Sequence, residues 1–202
     1  MLALILAGGE GSRLKLGEKG LVPVGGKPMI SLVLDAFTDG DCSPVVVTSY
    51  KTPFTRNWCR ANGVDFIDTA GAGYVEDLHE AVAMTEEDGA LFTSAADIPC
   101  LSSKIIREVR EKYTASGKPA CSTWIPIKYC ERFGVSPRYR QIINGVEAAP
   151  CAFNIFMGSL LDEVQDELSI LLDEPGLAFN INTREELAVL EREWEKHRLL
   201  KK

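Results

Sequence analysis

The sequence predicts an α/β protein with three layers: a mostly parallel sheet with helices on both faces. Three observations carry this expectation. Short apolar runs of strand length recur at 2–6, 43–49, 64–68 and 89–94. Between them lie apolar residues at helical spacing, such as Ile30, Val33, Leu34 and Phe37. Strands and helices alternating at this rhythm imply parallel pairing through right-handed crossovers. The first strand also runs straight into a glycine-rich loop studded with cations, the usual place for a ligand in an open parallel sheet.

The run 2–6 is uninterrupted, as suits a strand buried on both faces. Gly8, Gly9 and Gly11 follow it and lack the side chains that would keep a polyanion from the backbone N–H groups. Arg13 adds a forked, permanent charge and Lys19 a mobile one, with Lys15 and Lys27 nearby. A phosphate-binding loop uses all of these features, whereas three glycines alone can also make a simple tight turn. Neither a Walker motif nor a dinucleotide fingerprint is present, since no Gly-Lys-Ser/Thr follows and Leu14 replaces the third glycine.

The helix carrying Ile30 to Phe37 ends near Asp39-Gly40, and the second strand, 43–49, centres on Val45-Val46-Val47. Thr52-Pro53 opens the next helix, with Thr52 as N-cap and Pro53 in the first helical position. The third strand, 64–68, leads into a second glycine loop, Asp68-Thr69-Ala70-Gly71-Ala72-Gly73, and a helix over 74–84. The fourth strand runs into Ala95-Ala96-Asp97-Ile98-Pro99, and Ser103 caps a helix bearing Ile105, Ile106, Val109 and Tyr113. Beyond Lys118 the rhythm changes. Strands over 120–127 and 152–157 flank a polar, irregular stretch, 128–145, and a helix is expected within 159–172. Thr183 and Glu186 form a capping box for a last helix with Leu187, Leu190 and Trp194 on one face. The chain reads as one domain, 1–202, in which 118–160 is the expected specificity region.

Composition narrows the function classes. With 202 residues, 46% hydrophobic and 25% charged, the chain resembles an ordinary soluble globular domain. No apolar stretch approaches a membrane span and no leader pattern precedes the first strand, so a cytoplasmic location is expected. The six cysteines form no Cys-x-x-Cys pair and read as reduced, buried thiols. His79 and His197 are too few for a histidine metal site or a triad. A net charge of −7 disfavours nucleic acid as a partner, but it leaves nucleotide binding to the local cations. A homodimer is left open.

Asp97, where a strand ends before Pro99, lies at the same sheet edge as the glycine loop and can hold Mg²⁺ on nucleotide phosphates. A capping or solvent-facing aspartate is the plainer alternative. Asn180-Ile181-Asn182-Thr183 either enters a helix or contributes polar ligands.

Leu6-Ala7-Gly8-Gly9-Glu10-Gly11-Ser12-Arg13 with the downstream lysine resembles the signature of Rossmann-like, GT-A-like nucleotidyltransferases. Ile67-Asp68-Thr69-Ala70-Gly71-Ala72-Gly73-Tyr74-Val75-Glu76-Asp77-Leu78-His79-Glu80 is similar to a stretch of the archaeal GTP:adenosylcobinamide-phosphate guanylyltransferases. So are 143–154 and Ala178-Phe179-Asn180-Ile181-Asn182-Thr183. The resemblance implies GMP transfer from GTP to adenosylcobinamide phosphate, with Mg²⁺, in cobalamin biosynthesis. Related acceptors, molybdopterin or a sugar 1-phosphate, and a non-catalytic GTP-binding subunit are the alternatives.

By the same resemblance, Arg13, Lys19 and Asp97 act in catalysis and Asp97 with Asn182 holds the metal. Leu6, Ala7, Gly8, Gly9, Gly11, Ser12, Thr48, Asp68 and Gly73 contact the nucleotide. For guanine, Asp68 is the expected reader, because a carboxylate accepts from both N1–H and the 2-amino group; an Asx-turn role competes with this. The family's usual Glu-Lys-Pro is here Glu18-Lys19-Gly20, which loosens the loop without removing its charge.

Overall fold

The computed structural model describes residues 1–9, 11 and 14–200, with side chains through Trp194. Strand β1 (Leu2–Leu6) leads to a 3-10 turn at Lys19–Leu21 and a two-stranded ribbon, β2 (Pro23–Val24) with β3 (Lys27–Pro28). Helix α1 (Met29–Asp39), β4 (Ser43–Ser49), α2 (Pro53–Asn62), β5 (Phe66–Thr69) and α3 (Tyr74–Thr85) follow. Then come β6 (Ala90–Ala95), α4 (Ser103–Ser116), β7 (Ala120–Pro126) and α5 (Ile127–Phe133). Strands β8 (Gln141–Ile143), β9 (Val146–Met157) and β10 (Glu167–Leu171) and helix α6 (Arg184–Leu200) complete the chain.

The sheet runs β10-β7-β9-β6-β1-β4-β5, with β8 paired to β9. Strands β6, β1, β4 and β5 are mutually parallel, as the alternation predicted. Strand β9 is antiparallel to β6, β7 and β8, and β10 pairs parallel to β7. Successive side chains of a strand face opposite layers, and β1 shows it: Ala3 and Ile5 join the larger core, Leu4 the smaller. The larger core holds Phe37, Phe92, Phe153 and Phe179, all fully buried, beneath α1, α4 and α6. Each such ring contributes roughly 1.5–3 kcal/mol by leaving water. Helix α3 covers the other face through Leu78, Ala81 and Val82.

Four local expectations need correction. The helix expected within 159–172 is a 3-10 turn at Gly158–Leu160 followed by β10. There Leu168, Ile170 and Leu172 recur every second residue and pack on the core, so period two outweighs helix propensity. The irregular stretch 128–145 contains most of α5 and all of β8, and β9 starts at Val146 rather than at 152. Ser102, not Ser103, caps α4: its hydroxyl accepts from Ile105 N at 3.5 Å.

Thr52 does not cap α2 with its side chain. Its hydroxyl is engaged with the backbone of Ser49, accepting from N at 3.1 Å and donating to O at 3.3 Å. The Glu18 carboxylate takes over instead, accepting from Phe54 N at 2.8 Å and Thr55 N at 2.5 Å. A carboxylate suits this place, because helix N-termini present free N–H groups and a partial positive charge.

Candidate active site

Parallel pairing brings the carboxyl ends of β1, β4, β5 and β6 to one edge, and a cavity of about 510 Å³ opens there. Its floor is the turn after β1, where Leu6, Ala7, Gly8, Gly9 and Gly11 all line the space. Gly11 has φ +61°, and a Cβ there would stand 2.8 Å from Lys19 Cβ, so glycine is required for the loop to fold back on Lys19. Ser49 at the end of β4 ties the loop down by donating Oγ–H to Gly8 O at 2.7 Å. Arg184, at the start of α6, donates to the carbonyls of Leu14 and Lys15 at 3.1 and 2.8 Å and clamps the loop's return.

Because β6 lies on one side of β1 and β4 and β5 on the other, the cavity has two chemically distinct ends. The β6 end holds Lys19, Asp97 and Asn182. The Lys19 ammonium forms an ion pair with Asp97 and donates to Asn182 Oδ1 at 2.8 Å. Asn180, with its amide turned so that nitrogen faces the carboxylate, donates to Asp97 Oδ2 at 3.2 Å. The segment is pinned by Ile181 N donating to Asp97 O at 3.0 Å. Its exit is held by Glu186, which accepts from Asn182 N at 2.6 Å and Thr183 N at 3.0 Å, while Glu186 N donates to Thr183 Oγ1 at 3.2 Å. The capping box thus closes as expected and also fixes Asn182.

The opposite end is formed by Lys51 after β4, Gly71 and Gly73 after β5, and Tyr74 and Asp77 of α3. The sequence marks neither Lys51 nor Tyr74 for binding, and it leaves Asp77 two roles: favouring the N-terminal turn of its helix or facing the acceptor. The signal for Asp77 was its place within the second glycine motif.

Thr48 and Asp68, expected at the nucleotide, are not among the residues that line this cavity. Asp68 is engaged by Arg56 and by the Thr48 hydroxyl, each at 2.7 Å. Burial tends to raise the Asp68 pKa, but the hydrogen bonds from Arg56 and Thr48 outweigh it and leave the carboxyl below its ordinary value. Ser12 and Arg13 lie outside the described residues.

Gly20, where the motif departs from proline, is buried inside the Lys19–Leu21 turn, its α-carbon facing Ile30 and Ala96. The six cysteines are free and buried, and burial pushes the thiols of Cys59 and Cys121 up to about 11 and about 12. A second cavity of about 480 Å³ adjoins the first and shares Asn182 with it. Its walls come from Val135 to Tyr139, Ala149 and Pro150, Leu177 and Ala178, and the first turn of α6. No helix among the described residues is long and apolar enough to cross a membrane.

A nucleotide-sized cavity over a glycine loop, with a lysine and an aspartate at one end, fits transfer chemistry on a nucleotide. A family model described as the MobA-like NTP transferase domain matches residues 3–190. The chain belongs to this family. The adenosylcobinamide-phosphate guanylyltransferase of Methanocaldococcus jannaschii is 31% identical over 95% of this chain and 96% of its own length. A molybdenum cofactor guanylyltransferase of Yersinia pestis is 28% identical, over 52% of this chain and 53% of its own. Molybdopterin-guanine dinucleotide biosynthesis protein A from Archaeoglobus fulgidus superposes with a TM-score of 0.68 at 18% identity, covering 97% of this chain and 100% of that one. The CMP:2-keto-3-deoxy-manno-octonic acid synthetase solved with CTP gives 0.68 at 14% identity, over 96% and 97%. These two show the GT-A-like fold. The chain is therefore a MobA-like nucleotidyltransferase.

Proposed function

We propose that this MobA-like chain is a guanylyltransferase that moves GMP from GTP to adenosylcobinamide phosphate. The supporting observation is the near full-length match to the archaeal enzyme of that name, against a half-length match to the molybdenum cofactor enzyme. In this reading an oxygen of the acceptor's phosphate attacks the α-phosphorus of GTP in line. A new P–O bond forms, the bond to the bridging oxygen breaks, and pyrophosphate leaves with the electron pair. The acceptor phosphate is ionised already, so no general base is needed. Catalysis then reduces to positioning and neutralising charge.

The backbone amides of the glycine loop, together with Ser12 and Arg13 by the sequence reading, hold the terminal phosphates. Lys19 neutralises charge at the α-phosphate. Asp97 and Asn182 are the residues that would hold Mg²⁺. Their fit rests on the arrangement already described: the Asp97 carboxylate and Asn182 Oδ1 converge on a cation, the Lys19 ammonium. Oxygen donors of this kind, with one carboxylate and the rest supplied by phosphates and water, suit that hard ion. When bound, Mg²⁺ supplies charge neutralisation on the phosphates. The second cavity, walled partly by the 118–160 region and joined through Asn182, is where the acceptor docks.

The test is pyrophosphate release with GTP and each acceptor in turn: adenosylcobinamide phosphate, molybdopterin and a sugar 1-phosphate. Release with the corrinoid alone is expected. Release only with molybdopterin or a sugar phosphate reassigns the acceptor. GTP binding with no product from any of them means a non-catalytic nucleotide-binding subunit.

A further inference from the structure

We infer that Asp77, assisted by Lys51, reads the guanine base, and that Asp68 does not. The inference rests on the reading of GTP as the donor. Lys19, Asp97 and Asn182 occupy the β6 end of the cavity, which leaves the far end for the base. Asp77 is the buried carboxylate there, only 9% exposed, and both of its oxygens are placed. Oδ1 accepts from Ala72 N at 3.1 Å, and Oδ2 comes within 3.6 Å of where a Gly8 side chain would begin. Lys51 Nζ donates to Gly71 O at 2.6 Å. The Gly71 carbonyl and the Ala72 N–H belong to one peptide unit, so Lys51 and Asp77 hold its two ends. A donor and an acceptor are thus set on one rigid piece of the second glycine loop.

Hydrogen-bonding capacity makes the pair selective. A carboxylate has about four lone-pair sites and an ammonium three N–H donors, so each keeps capacity beyond its loop bond. Guanine offers N1–H and a 2-amino group to the carboxylate and O6 to the ammonium. Adenine presents the opposite pattern, with N1 lone pair toward Asp77 and amino group toward Lys51. Xanthine keeps N1–H and O6 but turns a carbonyl oxygen toward Asp77. A site built on such contacts rejects a mismatched base because its own polar groups are left unpaired. Asp68, by contrast, is committed to Arg56 and Thr48 away from the cavity wall.

Calorimetric titration of the wild-type chain and Asp77→Asn with GTP, ITP, XTP and ATP tests this. Wild type should bind GTP at least about tenfold tighter than ITP, which lacks only the 2-amino group. In Asp77→Asn the amide donates to the xanthine carbonyl and still accepts N1–H, so XTP should overtake GTP. Loss of folding alone cannot create that gain. Lys51→Met should weaken GTP, ITP and XTP by a similar factor, since all three carry O6. Wild-type affinity for ITP equal to that for GTP overturns the role of Asp77, even if the Asp77→Asn chain does not fold. So does an Asp77→Asn protein that still prefers GTP to XTP, while the donor assignment survives. Wild-type preference for ATP defeats the donor assignment itself.

Discussion

Glu18→Ala is the sharpest probe of how the chain around Lys19 is held. The Glu18 carboxylate is buried and accepts from the N–H groups of the second and third residues of α2, Phe54 and Thr55, at 2.8 and 2.5 Å. Pro53 at the first helical position offers no N–H, so these are the first two free donors of that helix. Hydrogen bonds to a charged group contribute about 1.5–3 kcal/mol each. Two such bonds sum to about 3–6 kcal/mol, and relaxation around the freed amides lowers the expected loss to about 2–4 kcal/mol. For a chain of 202 residues this corresponds to a melting temperature lower by about 4–16 °C.

Lys19 is the next residue, so loosening Glu18 also loosens the charge that faces Asp97. The expected result is weaker GTP binding together with lower stability. Urea unfolding of the wild type, Glu18→Ala and Glu18→Gln checks the first effect and titration with GTP the second. The glutamine keeps one acceptor oxygen and should fall between the other two. A Glu18→Ala protein within about 0.5 kcal/mol of wild type would refute the claim that this side chain caps α2.

Lys19→Met and Asp97→Asn should each lower turnover at least about a hundredfold while circular dichroism stays native; near-normal rates in either variant would sink the site assignment. Gly25→Ala should destabilise by about 2 kcal/mol or more, because its φ is +58° and the added Cβ would fall 2.0 Å from Trp194 Nε1; a denaturation midpoint equal to that of wild type contradicts this. Gly20→Ala should be neutral or stabilise by up to about 1 kcal/mol, since the nearest atom to its Cβ would be Ile30 Cβ at an ordinary 3.4 Å; thermal melts decide it. The lowered pKa of Asp68 stabilises the fold above the unfolded carboxyl value of 3.8, and that stability is lost as pH falls from there through the folded value. Arg56→Met should therefore flatten acid unfolding over that window, and an unchanged pH profile would count against the pairing.

Much of the first half was legible because its signals are local. Gly8, Gly9 and Gly11 after an apolar run specify strand then loop without help from the rest of the chain. The rhythm of β1, α1, β4, α2, β5, α3 and β6 implied parallel order, and that order placed Asp97 and the glycine loop at one sheet edge. Expectation failed where distant segments compete. Thr52 reads as a cap, yet Glu18, which is 37 positions from Thr55, takes the amides. Leu168 and Ile170 fit more than one pattern in isolation, and β7 is the partner that makes them a strand.

What the sequence by itself determined is the glycine loop with Lys19, the strand-ending Asp97 and the Asn180-Ile181-Asn182 segment, because spacing and residue chemistry carry them. The tertiary structure decided which of these meet. The hydrogen bond from Ile181 to Asp97 brings Asn182 to Lys19 across 163 positions, and no local pattern encodes that contact. It also decided between two aspartates of the second glycine motif. Asp68 found Arg56 of the preceding helix α2, while the α3 helix aimed Asp77 back at the loop after β1. A carboxylate's role depends on what charge reaches it first, and only the packed chain fixes that.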